Sequence, residues 1–346
     1  MDAVRKFAFA DFLNQQFPEY PPAKYGILTI DNAIIPAASL SGTPGALDSQ
    51  DSRSSIEEIA HIASLHPALL LVKVPFEPPT PVHKFYADSG DLVRLTRIAQ
   101  IDICGLGLVS NDTTGFHCLA PGSVSGSDGE DKGDEKDGDT PASYYLYCGA
   151  YKLLWSYDAR RKCTKAIAFM FKSGRGLKGF EDFTASLRDG AGELVMHPLF
   201  IPLLAGMETV AFMEKTLRGQ YDKCRIAEKN SGVHPWRVVD ATEQQDAVRE
   251  LADMARQMTA LVVEVEMVVR RLRQWKLALG DFTKILGLYQ AQGYHSTSEE
   301  HGLVSNAISL SKSKLEVMEI DFLYVKARAK NQVSAVSAPD ERPLTI

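Results

Sequence analysis

The sequence predicts an α/β (α+β) chain: a mixed sheet with flanking helices, followed by two long C-terminal helices. Three observations lead there. Short apolar runs bounded by Pro, Gly, Ser and Asp recur through the first half, as strands and short helices do. Residues 242–292 then pass without a proline, with apolar side chains at spacings of three and four. A second stretch, 302–330, has the same helical character after a short polar turn. At 1.5 Å per residue the first of these helices reaches roughly 75 Å, far longer than an ordinary globular helix.

Taken in order, residues 1–20 read as a short amphipathic helix, with Val4, Phe7, Phe12 and Phe17 as anchors and Pro18, Pro21 and Pro22 ending it. Residues 25–30 (YGILTI) read as a strand and 42–55 as a loop. Ser55 is an N-cap for a helix over 56–65, with Glu57 and Glu58 in its first turn. The continuous apolar run 68–74 is a strand buried on both faces. A further apolar run, 98–108 within 93–108, reads as another strand. Ordered structure resumes at Tyr144. Residues 150–157 and 164–171 form an antiparallel hairpin around Asp158-Ala159-Arg160-Arg161. Residues 180–188 and 198–217 are helical, the latter with Pro198 in its first turn.

These elements divide into an N-terminal helix and linker (1–22), an α/β domain (23–235), a long-helix, stalk-like region (240–335) and a disordered tail (336–346). Inside the α/β domain lies an acidic insert, 121–141. Its core, Ser123 to Thr140, holds seven acids and two lysines, so it carries −5 of the chain's net −6. It has too little apolar content to offset the entropy of ordering and is expected to be disordered. The remainder is nearly neutral, which gives no general electrostatic case for nucleic acid. Five cysteines, odd in number and without a CxxC pair, suit free thiols in a reducing, cytoplasmic compartment. No run of eighteen apolar residues is present, so no membrane span is expected in this chain.

No catalytic constellation stands out, and the expectation is a protein that is not an enzyme and has no cofactor. Gly174-Arg175-Gly176-Leu177-Lys178-Gly179 matches G-x-G-x-x-G, but no second parallel strand ending in an acid follows it. It reads as a flexible glycine loop rather than a dinucleotide site. Arg160-Arg161-Lys162 and Arg270-Arg271-Arg273-Lys276 are basic clusters able to meet phosphate or anionic lipid. Such clusters more often form a solvated face or pair with acids. No histidine pair has HExxH spacing, and His197 before Pro198 reads as a helix-entry residue. Metal ligands are unknown. The acidic insert offers weak divalent-cation attraction without a fixed oxygen cage. The candidate helix contact face is Val262, Val265, Val269 and Leu272, whose alternative use is packing within the chain.

A set of phrases in order carries a family resemblance. It begins with Leu154-Trp155-Ser156-Tyr157-Asp158, Arg161 and Thr164-Lys165-Ala166-Ile167. Met196-His197-Pro198-Leu199-Phe200-Ile201-Pro202 follows, then the long helix, then Lys326-Ala327-Arg328-Ala329-Lys330-Asn331-Gln332-Val333. Over roughly 20–335 the chain resembles the fungal CorA-like proteins, relatives of the CorA magnesium and ZntB zinc transporters. The resemblance implies a cytosolic α/β domain with long helices and a stalk, and assembly as a pentamer around a pore. Two C-terminal transmembrane helices and a Gly-Met-Asn loop belong to that pattern and are not in this sequence; Gly206-Met207-Glu208 is a false echo. The expectation is therefore a soluble cytosolic-type domain, truncated before the pore and not itself a transporter. Its partners would be copies of itself or full-length CorA-like relatives. The alternative is a soluble regulatory or scaffold protein acting through helix-mediated contacts. A third reading is an enzyme using the glycine loop.

Overall fold

The computed structural model describes residues 25–30, 53–77, 84–111, 113–119, 141–147, 151–158, 161–171, 174–189, 194, 197–231, 241–291 and 298–337. The expected N-terminal helix and linker (1–22), all but the last residue of the acidic insert (121–141) and most of the tail (336–346) lie outside them. The chain forms two compact units. The first comprises Met1–Thr209 and Gly280–Ile308, the second Val210–Leu279 and Ser309–Ile346.

The first unit is built on an eight-stranded mixed sheet. Its strands are β1 (Tyr25–Ile30), β2 (Arg53–Ser54), β3 (Leu69–Glu77), β4 (Lys84–Phe85), β5 (Gly115–Leu119), β6 (Ala142–Tyr147), β7 (Tyr151–Asp158) and β8 (Cys163–Phe171). They are ordered β2-β1-β3-β8-β7-β6-β5, with β4 also paired to β3. Only the β3–β8 pairing is parallel, running from Leu69↔Thr164 to Phe76↔Phe171. The central strands are buried on both faces, which explains their unbroken apolar runs. The expected hairpin is β7–β8, paired from Tyr151↔Met170 to Asp158↔Cys163. At its turn the Asp158 carboxylate accepts the Arg161 N–H at 3.1 Å, and Lys162 takes φ 49°.

One face of the sheet packs on α1 (Ile56–Ser64), α2 (Ser89–Ile98) and α3 (Cys104–Ser110). Leu70, Val72, Val74, Leu154, Ile167 and Phe169 meet Ile59, Leu92, Leu95, Leu106 and Val109 there. α1 begins at the expected N-cap, Ser55, and the cap is a reciprocal capping box. The Glu58 N–H donates to Ser55 Oγ at 3.3 Å, and the Ser55 N–H donates to the Glu58 carboxylate at 2.7 Å. The other face packs on α4 (Gly174–Asp189) and on residues 280–291 of α6 (Ala241–Ala291). Tyr151 lies against Phe180 and Phe183, Phe116 is edge-on to Phe282, and Tyr289 meets Tyr157.

Two expectations are corrected in this unit. Residues 98–108 are not a strand: they span the end of α2, a turn and α3. Asp88 caps α2 by accepting the Gly90 N–H at 2.7 Å, and Asp102 accepts the Cys104 N–H at 2.9 Å where α3 starts. The run is continuous because α3 is buried against the sheet, and Gly105 allows the close approach. A β-carbon there would sit 2.5 Å from Leu154 Cδ2. A short buried helix and a buried strand have the same apolar signature. The glycine loop is likewise helical, since α4 starts at Gly174. Buried Phe180, Phe183 and Leu187 fix the helix, and tertiary anchoring outweighs a glycine penalty of about 1 kcal/mol each.

The second unit is a three-helix bundle from α5 (Phe200–Ser231), α6 and α7 (Ser298–Ser337). The two long C-terminal helices expected from the sequence are α6 and α7. α5 runs past its expected end, and its first-turn proline is Pro202 rather than Pro198. Buried positions recur at three and four residues in each helix: Met213, Leu217, Gln220 and Cys224 in α5; Met258, Leu261, Val265, Leu272 and Trp275 in α6; Leu315, Met318, Phe322, Val325 and Ala329 in α7. This is the heptad seam of a coiled coil. Ion pairs set the directions. Lys314–Glu214 and Arg328–Glu228 make α5 and α7 run the same way, while Lys326–Glu266 and Arg273–Glu319 make α6 run against α7.

Candidate functional site

Buried polar groups in the sheet unit close helix ends onto strands. The Lys152 side chain is fully buried; its Nζ donates to the Val109 carbonyl at 2.5 Å, in the last turn of α3, and sits 5.0 Å from the Phe76 ring. Lys165 Nζ reaches the Ile98 carbonyl and Gln100 Oε1, both at 3.5 Å, and burial lowers its pKa. Burial also raises the Cys163 thiol. His197 Nδ1 accepts the Leu199 N–H at 3.1 Å at the entry to α5. Burial first, and His301 second, bring its pKa down to about 4. Lys152, Lys165 and His197 are each tied to backbone atoms of a neighbouring helix end. Among the described residues no group of three His, Cys, Asp or Glu side chains could hold a metal ion, and no helix is long and apolar enough to cross a membrane.

Exposed apolar side chains in the bundle are a different matter. On α7, Leu310, Val317, Ile320 and Tyr324 are 71, 60, 68 and 55% exposed. With Leu303, at the same helix's other end, the positions 303, 310, 317 and 324 repeat every seven residues. A seven-residue repeat keeps side chains on one stripe of a helix, here the stripe facing away from the bundle seam. On α6 the outward positions Val263, Met267 and Leu277 are also exposed. Two apolar stripes on one helix, one buried and one in solvent, exceed what a three-helix core needs. Rows of exposed apolar side chains of this kind are uncommon on the surface of a soluble monomer.

The face expected to meet a partner lies elsewhere. Val265 and Leu272 are fully buried, Val269 is buried and Val262 half-buried. They pack within the bundle, which was the alternative use of that face. The α7 row is not among the contact residues expected from the sequence. The interval of seven at Leu303, Leu310, Val317 and Tyr324 was readable in the sequence.

The basic clusters separate as well. Arg161 pairs with Asp158 at the β7–β8 turn. On α6, Arg273 and Lys276 both reach Glu319 of α7, at 2.7 and 3.2 Å, and hold its carboxyl below the usual range. Lys326 holds Glu266 low in the same way. Between α6 and α7, Glu266, Arg273 and Lys326 line a groove together with Val269, Arg270, Gln274, Leu277 and Leu323. No protein-family model matches the chain and no curated protein matches it.

Proposed function

We propose that the chain is a non-enzymatic, cytosolic-type domain of the CorA-like kind that works through its long helices, in contact with copies of itself or with full-length relatives. The observation that carries this reading is the exposed seven-residue apolar row on α7. A mixed-sheet domain whose chain continues into long paired helices also agrees with what the resemblance implies. Any response to divalent cations is weak and diffuse, arising from clustered carboxylates rather than a fixed cage. The alternative, a regulatory or scaffold protein without a link to cations, draws on the same helix surface.

Light scattering coupled to size exclusion, with and without millimolar Mg²⁺, tests the reading. The expected result is an oligomer whose size or thermal stability responds to Mg²⁺. An oligomer indifferent to Mg²⁺ transfers support to the scaffold reading. A monomer indifferent to Mg²⁺ removes the CorA-like reading.

A further inference from the structure

The groove between α6 and α7 in the bundle has a built character that the α7 row lacks. Buried Val269 is its floor, exposed Leu277 and Leu323 are its apolar sides, and Glu266, Arg270, Arg273, Gln274 and Lys326 complete its lining. Residues 266–277 of α6 line it, a length of roughly 17 Å or three helical turns. Two antiparallel helices with apolar residues between them offer the seat a third amphipathic helix takes in helix-in-groove recognition.

The charge around that seat is one-sided. Arg270, Arg273, Lys276, Lys326 and Lys330 stand against two carboxylates, Glu266 and Glu319. Arg273, Lys276 and Lys326 are steered by those carboxylates, whereas Arg270 forms no ion pair among the described residues. Leu277 is 72% and Leu323 41% exposed beside these cations.

We propose that this groove docks an amphipathic helix of a partner protein that carries apolar residues on one face and Glu or Asp along its edges. The inference rests on the reading above in so far as that reading places function on helix surfaces. A second copy does not supply the required edges, because the outer row of α7 is bordered at three- and four-residue spacing by Lys314 and Arg328 as well as Glu316 and Asp321. The chain's own acidic segment, Ser123 to Thr140, has the charge but only one apolar side chain, Val124, and so cannot fill the floor. A bare phosphate or lipid headgroup offers no apolar face to cover Val269, Leu277 and Leu323.

Fluorescence anisotropy with the full chain tests this. The probe is a labelled three-heptad helical peptide with Leu at its core positions and Glu at its edges; the control peptide carries Lys at the same edges. Phosphatidylcholine vesicles containing phosphatidylserine form a separate sedimentation arm. The acidic peptide is expected to bind, and the Lys peptide to bind at least about tenfold more weakly. Arg270→Glu and Leu277→Asn should each weaken the acidic peptide about tenfold without changing the melting temperature, since both side chains are exposed. Leu310→Asn, outside the groove, should leave it unchanged. No binding of the acidic peptide at millimolar concentration, equal binding of the Lys peptide, or indifference to both groove variants overturns the proposal. Vesicle capture that Arg270→Glu abolishes, without peptide binding, assigns the groove to membranes and overturns it too. Peptide binding by a monomeric, Mg²⁺-indifferent chain leaves the groove standing while the CorA-like reading falls; the converse leaves only that reading.

Discussion

His197 shows how a single side chain can be read for both fold and behaviour. Its place before Pro198 marked it as a helix-entry residue, and its Nδ1 does accept the Leu199 N–H at the start of α5. That role requires a neutral ring, because a protonated imidazole has no lone pair left at Nδ1 to accept. The positive end of the helix dipole adds to the penalty, and the neighbouring titratable group is His301 of α7. The folded pKa of about 4 lies below the ordinary histidine value of 6.5. The unfolded chain therefore binds a proton that the folded chain refuses. The stabilisation is complete above the unfolded value and is lost as pH falls from 6.5 toward 4, an effect of about 3 kcal/mol at most. His197→Asn keeps an acceptor that does not titrate. Denaturant melts at pH 7 and pH 4.5 should show a smaller gap in stability for this variant than for the parent. An unchanged gap would place the pH dependence elsewhere.

At the scale of elements, the sequence was most legible where local chemistry and tertiary packing agreed. The YGILTI strand, the N-cap at Ser55, the β7–β8 hairpin and the extent of α6 all declare themselves through caps, turns or long periodicity, whereas α5 runs on to Ser231, past its expected end at 217. Residues 98–108 do not, because a short helix buried on the sheet has no polar face to reveal its period. The candidate contact face raises a related question. Val262, Val265, Val269 and Leu272 have the spacing of a seam, but spacing does not say whether the other half of the seam belongs to the same chain. The burial of Leu272 in the bundle turns this into a prediction. Leu272→Ala should cost about 2–5 kcal/mol, the range for emptying a packed core site. Thermal denaturation followed by circular dichroism measures that cost. Light scattering on the same variant, while it is folded, should give the parent's molar mass; a lower mass would return this face to the partner interface.

For the whole molecule the deciding comparison is between exposed apolar surface and the cost of association. The net charge of −6 is concentrated in the acidic segment, so the remainder carries little repulsion to oppose self-association. Leu310, Val317, Ile320 and Tyr324 are more than half exposed. Covering each gives roughly 1–2 kcal/mol, less than the full value for burying such a side chain because each is already partly covered. Eight such side chains, four from each of two copies, give roughly 8–16 kcal/mol against an association cost of roughly 4–15 kcal/mol. The two ranges overlap, so self-association through this row should be reversible and concentration-dependent rather than permanent. Replacing Leu310, Val317 and Ile320 together by Asp removes most of the apolar gain and sets six like charges against one another across a pair. Sedimentation velocity over a dilution series should then show the parent shifting from oligomer to monomer and the triple variant monomeric throughout. The variant's melting temperature measured at monomeric dilution should match the parent's within about 2 °C, since exposed substitutions seldom move stability by more than about 0.5 kcal/mol. If the triple variant assembles as the parent does, the α7 row is not the contact, and the helix-mediated function proposed for this chain loses the observation that carries it.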